Sequence, residues 1–292
     1  MPISHQNSQP KSIALVANQN EIFYRLRMPW IQVLKEHGFN VFAIVPSGNW
    51  NDRIEAGGAK HIEWKLNRSD RNPFSEIVSI FRLTKILRQL KPDVVQNFHT
   101  KPNIYAPIAA KIAGIQLTIS TVTGLGYAFV DRPGFGTKFG KMLNLGMYSL
   151  SNRVADEITF QNPDDMKLLR EHYGLSKSKG RLIPGGSGVD ITEYLPNTRD
   201  SAQSTKIRFS LGIPKEATTI LTVGSGFERK GLKFLLRSFK YLEARNWRLI
   251  VIGKGNWPFY SRYAPRNFRN HLIYLPPVHN LEKFYAASDA FI

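Results

Sequence analysis

Cysteine is absent from this sequence, and its absence excludes several kinds of site. Without thiols the chain forms no disulfide bond and holds neither an iron–sulfur cluster nor a cysteine-ligated zinc ion. Long apolar runs are missing too, since none approaches the roughly 18–20 residues that cross a bilayer as a helix. Residues 1–12 are polar and lack the apolar core of a signal peptide. We therefore expect a cytoplasmic protein.

Acidic residues are scarce relative to basic ones. The 292 residues include 40 Lys and Arg against 22 Asp and Glu, which gives a formal net charge of +18. Such a charge indicates an anionic partner, which is a nucleic acid, an anionic lipid surface or a phosphorylated substrate. The basic residues are dispersed, and neither an RNA-binding aromatic motif nor a pair of zinc-finger histidines is present. The sequence thus favours a phosphorylated substrate and a membrane surface over nucleic acid.

Short apolar runs alternate with helical patterns along the whole chain. Strands are predicted at residues 12–17, 40–45, 61–66, 93–97, 117–122, 156–161, 219–222, 247–252, 272–275 and 289–292. This alternation favours right-handed βαβ units and a parallel sheet. We predict an α/β protein of two doubly wound, Rossmann-like domains, residues 1–184 and 185–292. A ligand is expected in the cleft between them, at the carboxyl ends of the strands.

Several helical stretches lead to more specific expectations. Helices are predicted from residue 28 to residue 37 and over residues 73–90. The apolar side of the second is Ile77, Ile80, Phe81, Leu83, Leu87 and Leu90. Residues 135–150 are expected to face the core rather than lipid. Asp164 and Asp165 follow Asn162 and Pro163, which predicts a helix cap rather than a metal or acid pair.

The most informative stretch runs from Val223 to Gly231 and reads VGSGFERKG. It follows an apolar run and precedes a helical pattern, an arrangement that is typical of phosphate binding. Glycines let the backbone approach a ligand closely, and the next helix is expected to present unpaired N–H groups near Gly231. Arg229 and Lys230 add positive charge where a diphosphate would lie. An ordinary strand-to-helix turn with solvated cations explains this layout alone equally well.

Further blocks carry a family resemblance. They are residues 101–105 (KPNIY), 122–127 (VTGLGY), 160–165 (FQNPDD) and 183–190 (IPGGSGVD). Together they resemble the bacterial family 4 retaining glycosyltransferases of capsule, O-antigen and lipid-linked oligosaccharide assembly. The stretch from Val223 to Gly231 is similar to its counterpart in a lipopolysaccharide core glucosyltransferase of that family. The resemblance extends from about residue 12 to the end of the chain.

The resemblance implies a GT-B fold with an acceptor-binding first domain and a donor-binding second domain. The implied reaction is transfer, with retention, of a hexose or N-acetylhexosamine from a nucleotide sugar, usually UDP-linked, and no metal or cofactor is needed. Acceptors in these branches are often lipid-linked sugars at the cytoplasmic face of the membrane, which suits the charge of +18. The resemblance therefore implies a peripheral membrane enzyme.

The donor site implied by the resemblance is centred on Lys230, with Arg229 as a second cation for the departing diphosphate. Family members place their first cation at the position of Ser225, so Arg229 is either a substitute or a solvated neighbour. From the residue pattern, the other donor-side candidates are Gly224, Ser225, Gly231, Gly253, Gly255 and Asp190. Asp190 is either a contact at the domain junction or a helix cap.

Loops after the first-domain strands supply the candidates for acceptor or sugar binding: Asn18, His99, Lys101, Asn103, Thr123 and Gly124. Asn18 begins a polar turn where the family has glycines, and it suits sugar contacts or a plain turn equally. Thr123 stands where many members have a histidine, and it can donate a hydrogen bond but cannot titrate near pH 7. His99 is either functional or simply a hydrogen-bonded loop residue.

Two other functions fit the sequence, and the chain differs from the family pattern at its end. The alternatives are another GT-B enzyme, such as a UDP-sugar 2-epimerase, and a non-catalytic basic protein that binds membrane or nucleic acid. The departure is that family members continue past a strand like residues 289–292 into a segment with two glutamates. We therefore predict that the second domain is truncated and that this chain alone has little transferase activity.

Overall fold

The computed structural model describes residues 11–66, 73–125, 138–188, 201–228, 230–241, 246–278 and 280–292. The chain divides into two compact units, residues 1–189 and 190–292. Each unit is built on a parallel sheet with helices packed on it, so the predicted fold class is confirmed. Of the helices within these described ranges, none combines the length and the apolarity needed to span a bilayer.

The first unit contains a seven-stranded parallel sheet in the order β3-β2-β1-β4-β5-β6-β7. Its strands are β1 (Ser12–Val16), β2 (Asn40–Val45), β3 (Ala59–Glu63), β4 (Val94–Phe98), β5 (Leu117–Val122), β6 (Glu157–Phe160) and β7 (Arg181–Leu182). The strand order reverses between β1 and β4, and at such a reversal a doubly wound sheet opens a crevice at its carboxyl edge.

Helices cover both faces of this sheet. They are α1 (Asn20–Glu36), α2 (Asn51–Ala56), α3 (Pro73–Leu90), α4 (Thr100–Ala113), α5 (Lys138–Val154) and α6 (Pro163–His172). Successive β1 residues face opposite layers. Leu15 packs with Phe23 of α1 and Ile54 of α2, whereas Ala14 belongs to the cluster that contains Leu83 of α3 and Leu169 of α6. A strand buried on both faces reads as a continuous apolar run, which is why β1 is recognisable in the sequence.

The predicted apolar side of α3 is wrong at two positions. Ile80, Leu83 and Leu87 are buried as expected, but Ile77 is 49% exposed and Phe81 is 66% exposed. A helix turns about 100° per residue, so Phe81 lies well away from the row that faces the core. Helix α3 therefore has apolar residues on both of its sides.

The start of α6 differs from the expectation in its capping residue. The side chain of Asn162 accepts a hydrogen bond of 2.8 Å from the backbone N–H of Asp165, so Asn162 is the N-cap. Asp164 and Asp165 lie in the first turn, where a carboxylate stabilises the positive end of the helix dipole. The predicted helix at 135–150 begins outside the described residues; α5 buries Tyr148 and Ser151, and Leu150 is exposed.

The second unit contains a four-stranded parallel sheet in the order β10-β9-β8-β11. The strands are β8 (Thr218–Val223), β9 (Trp247–Ile252), β10 (Leu272–Leu275) and β11 (Ala290–Phe291). The helices are α7 (Ala202–Ser210), α8 (Leu232–Ser238), α9 (Trp257–Tyr260) and α10 (Glu282–Ala286), with 3-10 helices at Phe239–Tyr241, Ser261–Tyr263 and Arg266–His271. Leu249 and Ile250 of β9 enter different core clusters, which lie on the two faces of the sheet.

A buried arginine joins distant parts of the second unit. Arg208 of α7 is 7% exposed, and its guanidinium donates to Thr219 Oγ1 at 2.6 Å and to the carbonyl oxygen of Ala217 at 2.7 Å. It also donates to the carbonyl oxygen of Ala287 at 3.2 Å and lies 3.7 Å from Asp289 Oδ2. Arg208 therefore links α7 to β8 and to the segment before β11.

Candidate functional site

The glycine turn of the second unit connects β8 to α8. Gly231 is the N-cap of α8 and has a left-handed φ of 73°, a conformation that glycine adopts at little cost. Phe227 is 3% exposed and anchors the turn in the core, whereas Ser225 and Lys230 are exposed. Of the predicted donor-side residues, Arg229 and Asp190 lie outside the described residues.

A second glycine turn, after β9, packs directly against the first. A Cβ atom at Gly253 would overlap the carbonyl oxygen of Gly224, and one at Gly255 would overlap the ring of Phe227. The N–H of Gly226 also donates to the carbonyl oxygen of Lys254 at 3.2 Å. The structure therefore brings Gly224, Gly253 and Gly255 together, and the absence of side chains is what lets the two turns touch.

The side chain of Lys230 lies against the first turn. A Cβ atom at Gly224 would be 3.1 Å from Lys230 Cγ, so the lysine stem occupies the space that a larger residue at 224 would take. Within the part of the chain that the structure describes, no carboxylate pairs with Lys230. A lysine that packs its stem and leaves its ammonium group in solvent can meet an incoming anion.

The backbone amides near Gly231 differ from the sequence-based expectation. The N–H groups of Lys230, Gly231 and Leu232 donate to the carbonyl oxygens of Gly226, Glu228 and Phe227, at 3.1–3.3 Å. The expectation of unpaired amides there is wrong for these three groups, because the turn already winds into hydrogen-bonded loops before α8 begins. Among the groups of this turn that the structure describes, the ammonium group of Lys230 is therefore more accessible to an anion than these three amides.

Replacing Gly253 by alanine is expected to lower the free energy of unfolding of the second unit by about 2–3 kcal/mol. The new methyl group meets backbone rather than a movable side chain, and φ at this residue is 154°. Gly226→Ala is the matched control, since Gly226 also has a positive φ but nothing lies within 4 Å of its Cβ position. Urea unfolding curves that shift equally for both variants would contradict a steric requirement at Gly253.

In the first unit, the predicted sugar-binding residues lie at the carboxyl ends of adjacent strands. Asn18 follows β1, His99 follows β4, and Thr123 and Gly124 follow β5, and β4 pairs with both β1 and β5. All four are half-buried. A hydrogen bond of 3.3 Å from Thr100 Oγ1 to the carbonyl oxygen of Leu125 joins the last two loops. The fold thus gathers these residues at one edge of the sheet.

Asn103 and Lys101 have partners within the protein. Asn103 is 4% exposed, accepts from Asn97 Nδ2 at 2.7 Å and donates to the carbonyl oxygen of Thr121 at 3.0 Å. These bonds hold α4 against β4 and β5, and they favour a structural role for Asn103. The Nζ atom of Lys101 lies 2.7 Å from Glu76 Oε1 of α3.

Arg27 of α1 is a buried cation that the sequence did not single out. It is 1% exposed, and burial lowers its pKa to about 10. Its Cζ atom lies 3.9 Å from the ring centroid of Phe98, and Nη1 donates to Ser187 Oγ at 3.2 Å. The same Ser187 oxygen accepts from Gln161 Nε2 at 2.8 Å. The sequence did contain a sign of this burial. Arg27 lies four residues from Phe23 and four from Ile31, the two residues that with it form the buried row of α1.

We expect Arg27→Met to loosen the loop at residues 183–188 without destabilising the first unit. Arg27 Nη2 is buried without a hydrogen-bond partner, and no carboxylate among the described residues pairs with it. Replacing such a buried cation by an apolar residue of similar volume is commonly neutral. Amide exchange at Gly186 and Gly188 should quicken about tenfold while the melting temperature stays constant. Arg25→Met, on the exposed side of α1, serves as the control, and unchanged exchange in Arg27→Met would contradict the tether.

A cavity of about 650 Å³ lies beside the carboxyl ends of β2 and β3 and the first half of α3. The charged residues that line it are Glu63, Lys65, Glu76, Arg82 and Lys101. Three of these side chains are cationic and two are carboxylates. Within the described ranges, no three histidine, aspartate or glutamate side chains lie close enough together to hold a metal ion.

Comparison with known proteins gives matches in both units. The family model for glycosyl transferase 4-like proteins matches residues 12–162, and that for glycosyl transferases group 1 matches residues 203–292. A glycosyltransferase structure from Rickettsia africae has a TM-score of 0.70 at 17% identity, over 97% of this chain and 73% of that one. The fold is the GT-B fold of two Rossmann-like domains, as predicted.

Two curated relatives have more specific names. The N,N′-diacetylbacillosaminyl-diphospho-undecaprenol α-1,3-N-acetylgalactosaminyltransferase of Campylobacter jejuni is 27% identical over 246 residues, which are 84% of this chain and 64% of the relative. The UDP-Gal:α-D-GlcNAc-diphosphoundecaprenol α-1,3-galactosyltransferase of Escherichia coli is 24% identical over 74% of this chain and 55% of its own length. The chain thus spans somewhat over half of these relatives. Its two parallel sheets and its family match over residues 12–162 lead to one conclusion: the chain belongs to the glycosyl transferase 4-like family.

Proposed function

We propose that this protein transfers a hexose or N-acetylhexosamine from a UDP-sugar to a sugar that is linked through diphosphate to a polyprenyl lipid. The observation that carries the proposal is that two relatives, matched over most of this chain, are both named as transferases for diphosphoundecaprenol-linked sugars. Family matches in both units favour transfer over the epimerase and the non-catalytic alternatives. Retention of configuration and independence from metal ions are part of the proposal.

On the donor side, Lys230 is proposed to bind the diphosphate. Negative charge develops on the diphosphate as its bond to the sugar breaks, so a cation held in advance stabilises the transition state more than the ground state. The packing of the lysine stem over Gly224 supports this role, because it restricts where the ammonium group can lie. Arg229 is proposed as the second cation, and Ser225 and Asp190 as neighbouring donor contacts.

The close approach of the two glycine turns supports a nucleotide site at the carboxyl edge of the second sheet. The backbones of the two turns meet where Gly253 lies against the carbonyl group of Gly224, so both turns end at the same edge of the sheet. We propose that the diphosphate lies over the first turn and the nucleoside beside Gly253 and Gly255. No protein carboxylate is assigned as a nucleophile in this scheme.

On the acceptor side, Asn18, His99, Thr123 and the backbone at Gly124 are proposed to bind sugar hydroxyl groups. Their loops follow neighbouring strands of the first sheet, and all four residues are half-buried rather than fully enclosed. A lipid-linked acceptor lies at a membrane, and the net charge of +18 supports attraction to an anionic surface. We therefore propose peripheral association with the cytoplasmic face.

Acceptor-dependent release of UDP tests this proposal. A set of UDP-hexoses and UDP-N-acetylhexosamines is incubated with an N-acetylhexosamine-diphospho-polyprenol, using the chain alone and the chain extended by the C-terminal segment of the Campylobacter jejuni relative. We expect UDP to appear only with acceptor present, and the lipid to gain one sugar by mass spectrometry, in EDTA as well as in magnesium. Conversion of the donor to an epimer without acceptor would contradict the proposal, as would no transfer from any donor by either form.

A further inference from the structure

Helix α3 exposes apolar residues along its first half. Phe74, Ile77, Val78 and Phe81 are 77%, 49%, 43% and 66% exposed, respectively. Their spacing of three and four residues places them on one side of the helix. This apolar stripe covers two turns, and it lies opposite the row that packs on the sheet.

The same side of α3 becomes cationic in its second half. Arg82, Lys85 and Arg88 are exposed and continue the spacing of the apolar stripe. Among the described residues no carboxylate forms an ion pair with any of them. The acidic residue of this helix, Glu76, is turned toward Lys101 and its side chain is only 11% exposed. Arg82 and Arg88 each donate one hydrogen bond to a backbone carbonyl, which leaves their charge unneutralised. An apolar stripe followed by such cations complements an anionic lipid surface.

The cavity beside α3 adjoins this surface. Val78 belongs to the apolar stripe and Arg82 to its cationic continuation, and both line the cavity. Lys101 and Glu76 largely neutralise each other at 2.7 Å. The other charged lining residues are the cations Lys65 and Arg82 and the carboxylate of Glu63. The cavity therefore has a net positive charge beside the apolar stripe.

We propose that α3 docks on the membrane through its apolar stripe and that the adjoining cavity binds the diphosphate headgroup of a membrane lipid. Lys65 and Arg82 bind the phosphates, and Glu63 accepts hydrogen bonds from the hydroxyls of the attached sugar. The inference rests on the proposed function, in that this lipid is the acceptor. It adds a membrane-contacting element and an acceptor subsite to it.

The docking half of the inference is tested by vesicle flotation of the 292-residue chain without any donor. Vesicles of phosphatidylcholine and phosphatidylglycerol are compared for wild type and the double variant Ile77→Ser, Phe81→Ser. We expect binding about ten- to a hundredfold weaker in the variant, because two partly exposed apolar side chains no longer enter the interface. Phe209→Ser is the control, since Phe209 of α7 is 86% exposed but lies in the second unit.

Equal loss of binding in Phe209→Ser, or no loss in the double variant, would overturn docking through α3. Both substitutions replace exposed side chains, so circular dichroism should report an unchanged fold. If the double variant were nevertheless misfolded, Lys85→Gln replaces it, with about fivefold weaker binding expected, since each basic residue near an anionic surface contributes about a factor of five.

The headgroup half is tested with vesicles of equal surface charge that carry either a polyprenyl diphosphate or phosphatidylglycerol. We expect wild type to prefer the diphosphate lipid and Lys65→Gln to lose that preference. Lys60→Gln is the matched control, because Lys60 is exposed on β3, near the other end of the strand that precedes Lys65. Free inorganic diphosphate should abolish the preference for the diphosphate lipid, because it occupies the cavity. It should not weaken the binding to vesicles that depends on the apolar stripe. Equal preference in both variants would overturn the assignment of the cavity.

These measurements distinguish the inference from the proposed function. UDP binding depends on the second unit and should be the same in wild type and in all α3 and Lys65 variants. If sugar transfer occurs but these variants bind vesicles as wild type does, the inference fails and the proposed function stands. If the vesicle preferences appear as expected but no UDP-sugar is used, the proposed function fails and the lipid site stands.

Discussion

Replacing Lys230 by alanine is expected to slow acceptor-dependent UDP release about a hundred- to a thousandfold. The ammonium group is exposed, unpaired among the described residues, and held over Gly224 by its own stem. It is therefore the group best placed in the described turn to stabilise charge on a departing diphosphate. The measurement is turnover at saturating UDP-sugar by the chain extended with the C-terminal segment of the Campylobacter jejuni relative, together with the affinity for UDP by calorimetry.

Two further variants make the Lys230 result interpretable. Lys230→Arg keeps the charge and should recover part of the lost turnover, whereas Lys206→Ala removes an exposed cation from α7 and should have no effect. Because Lys230 does not pair with any described carboxylate, Lys230→Ala should leave the melting temperature unchanged. Turnover and UDP affinity equal to those of wild type would rule out the assignment of Lys230 to the diphosphate.

Replacing Arg208 by methionine is expected to lower the free energy of unfolding of the second unit by about 3–5 kcal/mol. The guanidinium donates to five acceptors, which are Thr219 Oγ1 and the carbonyl oxygens of Pro214, Lys215, Ala217 and Ala287. Its removal leaves several buried carbonyl groups without this donor, and it removes the cation that lies 3.7 Å from Asp289 Oδ2. Methionine fills most of the volume but replaces none of these bonds.

Urea unfolding followed by tryptophan fluorescence measures this effect. Arg237→Met is the control, since Arg237 is exposed on α8 and its Cζ atom lies 5.1 Å from the ring centroid of Tyr263. We expect the control to change stability by less than about 1 kcal/mol. The contrast with Arg27→Met is also informative, because Arg27 lacks the ring of carbonyl acceptors that surrounds Arg208. Equal stability of Arg208→Met and wild type would contradict the role assigned to Arg208.

The strands were largely predictable from the sequence, most clearly where successive residues are buried on both faces of a sheet, as in β1 and β9. The predicted bounds of β2, β5, β9 and β10 are those observed, and each of these strands is rich in β-branched or other apolar residues. β3 begins two residues before its prediction, because its exposed residues interrupt the apolar pattern. Helix α1 begins at Asn20 rather than Met28, and Pro29 lies inside it. Proline lacks a backbone N–H and is most common in the first turn of a helix, so its place inside α1 is not its usual one.

Features that depend on three-dimensional neighbours were less predictable. The sequence predicted a glycine turn between a strand and a helix at Lys230. It did not predict that the backbone N–H groups of residues 230–232 donate to carbonyl groups of the same turn. Arg27 and Arg208 contribute to the net charge like any other basic residue, and the composition does not show that both are buried. On α3, apolar periodicity does not distinguish the side that meets the sheet from the side that meets solvent. Arg229 and Asp190 stay predictions.

The hydrogen bonds of Arg208 have a consequence for the order in which the protein matures during synthesis. Ser204 Oγ and Arg208 Nη1 donate to the carbonyl oxygens of Ala286 and Ala287, which lie 82 and 79 residues later in the chain. A ribosome that adds about 5–20 residues per second makes those acceptors roughly 4–16 seconds after the donors. During that interval α7 carries a guanidinium group whose native acceptors do not all exist yet. The second unit is therefore expected to complete its folding late in synthesis. Until then, α7 is the part of the nascent chain that we expect to be accessible to chaperones.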